Sequence, residues 1–325
     1  MRIKNLLLTW GTKLKVFDLL LNLRKRQPLV LYFHNVGNNF RENKIHSEYM
    51  HFPINVFKQQ IIFISKHYEV ISIDEYYYRL KKKSFTGKEI MLTFDDGYRN
   101  NLKIVAPLLY EMNMPFTVFI STFNVSTGNL FIYFLVRYLI YKSVKDNIIF
   151  HDSGLKFYLK TEYDKNIAHS EIIKLLKTKG KSYTDILEND ILINFSSSEL
   201  QDIKLTFENE NILNWDEVKN LINYNATIGS HCHNHFICNN EQTAEDILFE
   251  FAYSKELIEQ IQGHCNYLAY PNGDSTLMAT KIAEELGYKL AFTTEQSVNP
   301  TSYLALTRLG AVPHLPTFVG KVALG

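Results

Sequence analysis

Short apolar runs alternate with longer amphipathic stretches along most of this chain, and that alternation restricts its fold more than any other feature. The candidate strands are Leu29–His34, Tyr68–Ile73, Glu89–Phe94, Pro115–Ser121, Ala226–Ser230, Asn266–Tyr270, Lys289–Thr293 and Leu304–Leu309. The candidate helices are Ile54–Lys66, Asp74–Lys81, Leu102–Met112, Asp216–Asn223, Thr243–Gln262 and Met278–Leu286. Strands separated by helices pair in parallel through helical crossovers, so the fold class is α/β. Val30-Leu31-Tyr32-Phe33 and Thr117-Val118-Phe119-Ile120 suit a sheet covered on both faces. The regularity breaks at about residues 124–210, where Lys, Glu and Asn mix with Tyr and Phe. This stretch reads as an inserted subdomain or lid. It leaves directly from the end of strand Pro115–Ser121, so it is expected to cover the mouth of the sheet.

A chain of 325 residues accommodates one large domain with an insertion, or two modest domains. Hydrophobic residues at 46% and charged residues at 21% exclude disordered, collagen-like and coiled-coil classes. Lys and Arg number 35 against 34 Asp and Glu, so the basic excess of a nucleic-acid-binding domain is missing and no nucleic-acid partner is expected. Cys232, Cys238 and Cys265 are odd in number and form no CxxC, which favours a reducing compartment.

Residues 1–26 carry seven basic groups and one acid, Asp18, among leucines. The segment 1–28 is therefore expected to form a basic amphipathic helix. It either makes peripheral contact with an anionic membrane surface or packs on the rest of the chain. Its first apolar run, Leu6–Trp10, is interrupted by Gly11 and Lys13, unlike a secretion signal. The apolar stretch Leu130–Tyr141 contains Arg137 and falls short of the ~20 residues a membrane span needs. A cytoplasmic location, with the basic helix as a route to membrane association, is the expectation.

Three groups of residues can carry chemistry. Thr93-Phe94-Asp95-Asp96-Gly97 closes an apolar strand. Two neighbouring carboxylates repel, so one can bind a cation while the other works as a base. In Gly229-Ser230-His231-Cys232-His233-Asn234-His235, three histidines fall within five residues. Residues four apart are ~13 Å distant in a strand but ~5–6 Å apart on a helical turn. A coiled chain therefore pairs His231 with His235, whereas an extended one pairs His233 with either neighbour. Two His and one Asp form a ligand set with open positions that suits Zn²⁺, Fe²⁺, Co²⁺ or Ni²⁺. The third group is Ala269-Tyr270-Pro271-Asn272-Gly273, a turn whose backbone N–H can serve as an oxyanion donor.

In this order, the three groups resemble the polysaccharide deacetylase family (NodB-homology, carbohydrate esterase family 4). Thr93–Gly97 resembles its Thr-Phe-Asp-Asp-Gly motif. His231 and His235 resemble its His-(Ser/Thr)-x-x-His motif, with Cys232 in the Ser/Thr place, and Tyr270–Gly273 resembles the Tyr-Pro-x-Gly variant of the third motif. Tyr32-Phe33-His34-Asn35-Val36, Trp215-Asp216-Glu217-Val218 and Arg308 extend the similarity from Leu29 to about Val312, outside the insertion.

The resemblance implies a distorted (β/α) barrel over residues 29–325 and metal-dependent removal of acetyl groups from sugars. It implies Asp96, His231 and His235 as metal ligands, most simply for Zn²⁺, Asp95 as general base and the Asn272 N–H as oxyanion donor. Where many members carry an Arg that orients the catalytic Asp, this chain has Ala269, and Arg308 is the expected replacement. A Leu-x-x-His motif for the general acid is not evident, which leaves His34 and His314 as candidates. The expected function is N-deacetylation of an acetylated amino sugar in a polysaccharide or glycan precursor, that is, hydrolysis of a non-peptide carbon–nitrogen bond. An O-acetyl esterase and a non-catalytic glycan-binding protein are the alternatives.

Overall fold

The computed structural model describes residues 28–38, 40, 45, 50–294 and 302–324. The expected basic helix of residues 1–28, and with it the expected membrane contact, lies outside the described residues except at Pro28. No helix among the described residues is long and apolar enough to cross a membrane.

The chain opens with β1 (Leu29–Phe33), a short parallel pair of β2 (Asn35–Gly37) and β3 (His51–Pro53), and α1 (Ile54–His67). Then come β4 (Glu69–Val70), α2 (Ile73–Lys82), β5 (Glu89–Phe94), a π-helical turn at Asn101–Val105, α3 (Ala106–Glu111) and β6 (Phe116–Ile120). After β6 lie α4 (Thr122–Thr127), α5 (Ile132–Lys142), an antiparallel hairpin of β7 (Asn147–Ile149) and β8 (Lys156–Tyr158), α6 (Glu162–Thr178), α7 (Lys181–Leu192) and α8 (Ser197–Thr206). The barrel resumes with α9 (Trp215–Ile222), β9 (Ala226–Ser230), α10 (Ala244–Gln262), β10 (Tyr267–Ala269), α11 (Leu277–Glu285), β11 (Leu290–Thr293), β12 (Leu306–Thr307), β13 (Leu309–Gly310) and α12 (Leu315–Leu324).

The main sheet runs β12-β11-β10-β9-β6-β5-β1-β13, with β4 beside the start of β5. Every pairing in it is parallel. Only Arg308 separates β12 from β13, and these two pair with opposite ends of the sheet, β11 and β1. One short segment thus closes the sheet into a nearly complete barrel. The expected single strand Leu304–Leu309 is therefore two, because a closing segment must hand its hydrogen bonds from one neighbour to the other.

Two further expectations shift. The strand expected at Tyr68–Ile73 shortens to Glu69–Val70, because the Ser72 hydroxyl accepts from the Glu75 N–H at 3.1 Å and starts α2. The helix expected over Leu102–Met112 begins as the π-helical turn, and Pro107, which lacks an N–H, sits at the start of α3.

Successive strand residues point to opposite faces. Leu31, Phe33, Leu92, Phe94, Val118 and Ile228 face outward into the apolar layer under the helices. Val30, Met91, Phe119, Tyr267, Leu290 and Phe292 fill the barrel interior. Gly229 belongs to the inward set, and a Cβ there would come within 2.4 Å of the Phe119 ring. The same two-residue period carries the interior face upward to His34, Asp95 and His231, which follow β1, β5 and β9.

Between β6 and α9 the chain builds a second apolar cluster, including Val136, Ile140, Phe150, Phe157, Ile172 and Ile191. The weak sequence signals there had physical punctuation after all. Thr161 with Asp164 and Ser196 with Glu199 form capping boxes that start α6 and α8.

Candidate active site

Asp95 extends the sheet by one residue, its N–H donating to the Phe33 carbonyl at 2.9 Å. Asp96 (φ 75°) and Gly97 (φ 82°) then turn through the left-handed region, so the two carboxylates point to different partners. A non-glycine residue held there is characteristic of a functional turn.

Asp95 faces Arg308. The guanidinium donates from Nη1 to Oδ1 and from Nη2 to Oδ2, both at 2.7 Å, and Nη1 also donates to Thr93 Oγ1 at 3.1 Å. Arg308 is 3% exposed, and its guanidinium carbon stands 4.9 Å from the centre of the Tyr32 ring. Burial alone would raise the Asp95 pKa, but the Arg308 charge, followed by that of His231, holds it below the usual carboxylate range.

Asp96 faces the histidines. Its Oδ1 lies 3.5 Å from His231 Nε2 and 3.3 Å from His235 Nε2. Burial works to raise its pKa, and the two imidazoles bring it well below the ordinary value. The His231 N–H donates to the Ile120 carbonyl at 2.9 Å, extending the ladder between β6 and β9. His231 Nδ1 donates to the Ala269 carbonyl at 2.7 Å, which leaves Nε2 facing Asp96. The ring of His235 lies 5.0 Å from that of His231 and edge-on to Phe131 and Tyr133. Burial lowers the His235 pKa, opposed by Asp96.

The histidine loop settles the alternatives that spacing leaves open. His231 and His235 converge, but not through a helical turn: Cys232 (φ 63°) and His235 (φ 52°) both adopt left-handed conformations and fold the loop back on itself. His233 turns away, its Nδ1 2.8 Å from Thr122 Oγ1 and its ring against Phe249 and Tyr253. Burial pushes its pKa down to about 4.

One atom each of Asp96, His231 and His235 lie within 4.8 Å of one another. Asp96 Oδ1 is buried and has no hydrogen-bond partner, so its distances to the imidazoles are ion-pair distances without hydrogen-bond geometry. Two imidazole nitrogens and a carboxylate oxygen converging on one point fit a divalent cation.

His34 follows β1 at the same mouth, half-buried and edge-on to Tyr32 at 5.7 Å. Burial lowers its pKa, opposed by Asp96 and Asp95. His314 is not brought to the site. It is exposed at the start of α12, its Nδ1 2.7 Å from Thr317 Oγ1 and its carbonyl accepting from the Phe318 N–H. It serves as a helix-start residue there, and α12 does not carry it to the barrel mouth.

Asn272 (φ 59°) sits in the turn Pro271–Gly273 on the rim. Its carboxamide is held from both sides: Lys177 Nζ donates to Oδ1 at 2.6 Å, and Nδ2 donates to Asp274 Oδ2 at 2.7 Å. Gly273 cannot be replaced without collision, since a Cβ would lie 1.9 Å from Thr294 Oγ1.

These groups open into a cavity of about 520 Å³, within the usual range for a ligand site. One wall is the barrel mouth. The other comes from the segment between β6 and α9, through Tyr133, Phe134, Arg137, His169, Ile173 and Lys177. Sequence reasoning did not single out these six as site residues. The available signal was helical: Tyr133 and Arg137, like His169, Ile173 and Lys177, recur at intervals of four.

A parallel barrel with paired carboxylates and histidines at the carboxyl ends of its strands is the architecture of a barrel enzyme. A family profile described as "Polysaccharide deacetylase" matches residues 82–291, and the chain belongs to the polysaccharide deacetylase family. Among curated proteins, none matches the chain in sequence. Among solved structures, the deacetylase PplD of Streptococcus pyogenes in complex with acetate is similar, with a TM-score of 0.59 at 16% identity over 90% of this chain and 96% of its own. IcaB from Ammonifex degensii gives a TM-score of 0.59 at 15% identity over 93% and 99%. The putative polysaccharide deacetylase BA0330 from Bacillus anthracis gives 0.53 at 15% over 91% and 67%. At these identities the likeness is one of fold.

Proposed function

We propose that this chain is a metal-dependent deacetylase that removes N-acetyl groups from an amino sugar in a polysaccharide or glycan precursor. The observation that carries the reading is the division of labour between adjacent carboxylates. Asp95 is clamped by Arg308 at 2.7 Å on each oxygen, while Asp96 meets His231 and His235.

Asp96, His231 and His235 would hold the cation, with Zn²⁺ the simplest choice for this donor set. Such a cation, when bound, polarises a carbonyl and lowers the pKa of water. Asp95 is the general base: Arg308 keeps it ionised and fixed in plane, ready to take a proton from water attacking the acetyl carbon. The Asn272 backbone N–H is the donor for the developing oxyanion. His34, which lines the same cavity, would protonate the amine nitrogen as the C–N bond breaks and acetate departs. Burial lowers its pKa, which makes its imidazolium a stronger acid than a free one.

The test is mass change across a panel of N-acetylated and O-acetylated glycans, with and without chelator. Loss of one acetyl mass per sugar from N-acetylated members, abolished by chelator and restored by Zn²⁺, is the expected result. Loss from O-acetylated members alone would make the protein an esterase. No loss from any member would leave a glycan-binding protein.

A further inference from the structure

Cys232 and His235, which fold the histidine loop back on itself, both hold left-handed backbone, at φ 63° and φ 52°. A residue with a Cβ disfavours that region, so its surroundings must impose it. The two histidines at the ends of the loop are not secured alike. His231 is fixed through its own ring, by Nδ1 on the Ala269 carbonyl at 2.7 Å. The Nδ1 of His235 is buried and has no hydrogen-bond partner among the described residues. A ligating imidazole ordinarily has its second nitrogen held by an acceptor. For His235 the hold must come through the backbone.

The group that supplies it lies on α10. Glu250 is 0% exposed and faces Asn234, the residue before His235. The Asn234 N–H donates to Glu250 Oε2 at 2.8 Å, and Asn234 Nδ2 donates to Oε1 at 2.7 Å. One residue thus engages both carboxylate oxygens, with its main chain and with its side chain, which fixes its position and its orientation. A buried carboxylate is costly unless its oxygens are satisfied, and here the histidine loop satisfies them. One turn further along the same face, Ser254 Oγ lies 2.8 Å from Ser230 Oγ, which accepts from the Cys232 N–H at 3.2 Å. α10 therefore reaches both left-handed residues, one through Ser230 and the other through Asn234. From the opposite side, the His233 carbonyl accepts from the Phe123 N–H and from Ser121 Oγ, both at 2.9 Å. The chain is anchored at 233 and 234 before it returns to the cation site at His235.

We propose that Glu250 is a positioning residue for the metal site, and that its grip on Asn234 sets where His235 presents Nε2 to the cation. The inference rests on the metal-binding part of the deacetylase reading and adds a residue from outside the cavity. Neither Glu250 nor Asn234 lines that cavity, so their effect on the cation passes through the backbone of His235.

The experiment exchanges donor and acceptor. Asn234→Asp removes the Nδ2 donor and sets a second carboxyl group against that of Glu250. Combining it with Glu250→Gln again faces a donor with an acceptor, leaves a carboxamide oxygen for the N–H at 234, and returns the pair to its original net charge. Zn²⁺ affinity of the full chain, freed of metal, is measured by competition with a chelating dye, beside the melting temperature of the metal-free protein. The expected result is a Zn²⁺ dissociation constant about 10- to 100-fold higher in Asn234→Asp, as loss of an outer-shell partner costs. The double variant should recover most of that loss. Should Asn234→Asp not fold, Asn234→Ala removes the side-chain donor alone, with an expected loss of about 10-fold. A lower melting temperature with unchanged Zn²⁺ affinity would make the pair structural only and overturn the proposal. Weakened binding that the double variant does not recover would overturn it as well, because the effect would then not depend on the Glu250 contact. Failure of the parent reading looks different: an unaltered chain that binds no Zn²⁺ would overturn the metal site and this inference together.

Discussion

The barrel mouth and the inserted wall face each other across one cavity, yet they are built by different rules. At the mouth, His34, Asp95 and His231 follow strands whose two-residue period fixes which side chains point inward. Backbone bonds from Asp95 to Phe33 and from His231 to Ile120 continue the sheet into the site itself. The opposing wall follows the helical period, and its helices stand on an apolar cluster of their own. On the proposed function, the chemistry that needs sub-ångström placement would rest on the sheet, while the wall that faces it rests on a separately built element. The first is costly to alter. The second meets it at His235, beside Phe131 and Tyr133, and at Asn272, held by Lys177.

That contrast can be broken most severely at the mouth. Asp96→Ala, His231→Ala and His235→Ala should each empty the cation site and abolish turnover, whereas His233→Ala should retain the metal. Metal content of the purified variants is the measurement. A site emptied by the His233 change and not by the His235 change would invert the assignment.

Asp95→Asn comes next. It keeps the shape and should keep the metal, but removes the base, with an expected loss of ~10²–10⁴-fold in kcat. A metal-loaded variant with full activity would remove Asp95 from its role.

Arg308→Lys retains the charge but loses the planar fork that grips both oxygens of Asp95. Charge-assisted bonds of this kind contribute roughly 1.5–3 kcal/mol, so kcat should fall about 10- to 100-fold. Steady-state kinetics of the metal-loaded variant decide it, and an unchanged kcat would show that the pair is structural only.

Two matched core changes sharpen the comparison further. Leu92→Ala and Ile172→Ala each remove a fully buried aliphatic chain, at an expected ~2–5 kcal/mol. Leu92→Ala should raise hydrogen exchange throughout the barrel. Ile172→Ala should raise it in α5 to α7 and leave β5 and β6 protected. Uniform loss of protection in both variants would mean the two regions unfold as one.

The smallest effect is expected at Glu188 on α7. Burial, with Asp185 next, raises its pKa from 4.5 to about 7. Because the folded state holds this proton more tightly than the unfolded chain, its contribution is fully present below pH 4.5 and is lost as pH rises through about 7. Glu188→Gln should therefore flatten the decline in melting temperature between pH 5 and 8. An identical decline in both proteins would assign it elsewhere.

Much of the barrel is legible in sequence because its strands are local patterns. Glu89–Phe94 and Ala226–Ser230 are found with the bounds that the structure shows. The second apolar cluster is less legible. Its strands are three residues long and its helices mix polar residues into their apolar faces, so neither period stands out.

By itself, then, the sequence determined which strands and helices alternate, that Asp95 and Asp96 end a buried strand, and that a histidine cluster ends another. Each of these is a property of a few consecutive residues. Only the tertiary structure decided the rest. It chose His231 with His235 through left-handed residues that helical spacing does not describe. It brought Arg308 across 213 residues of chain to Asp95 by closing the barrel, and it left His314 outside. It also placed Lys177 against Asn272, 95 residues away. Such partners meet because the sheet closes and the insertion folds back over its mouth, and no local period encodes a contact of that range.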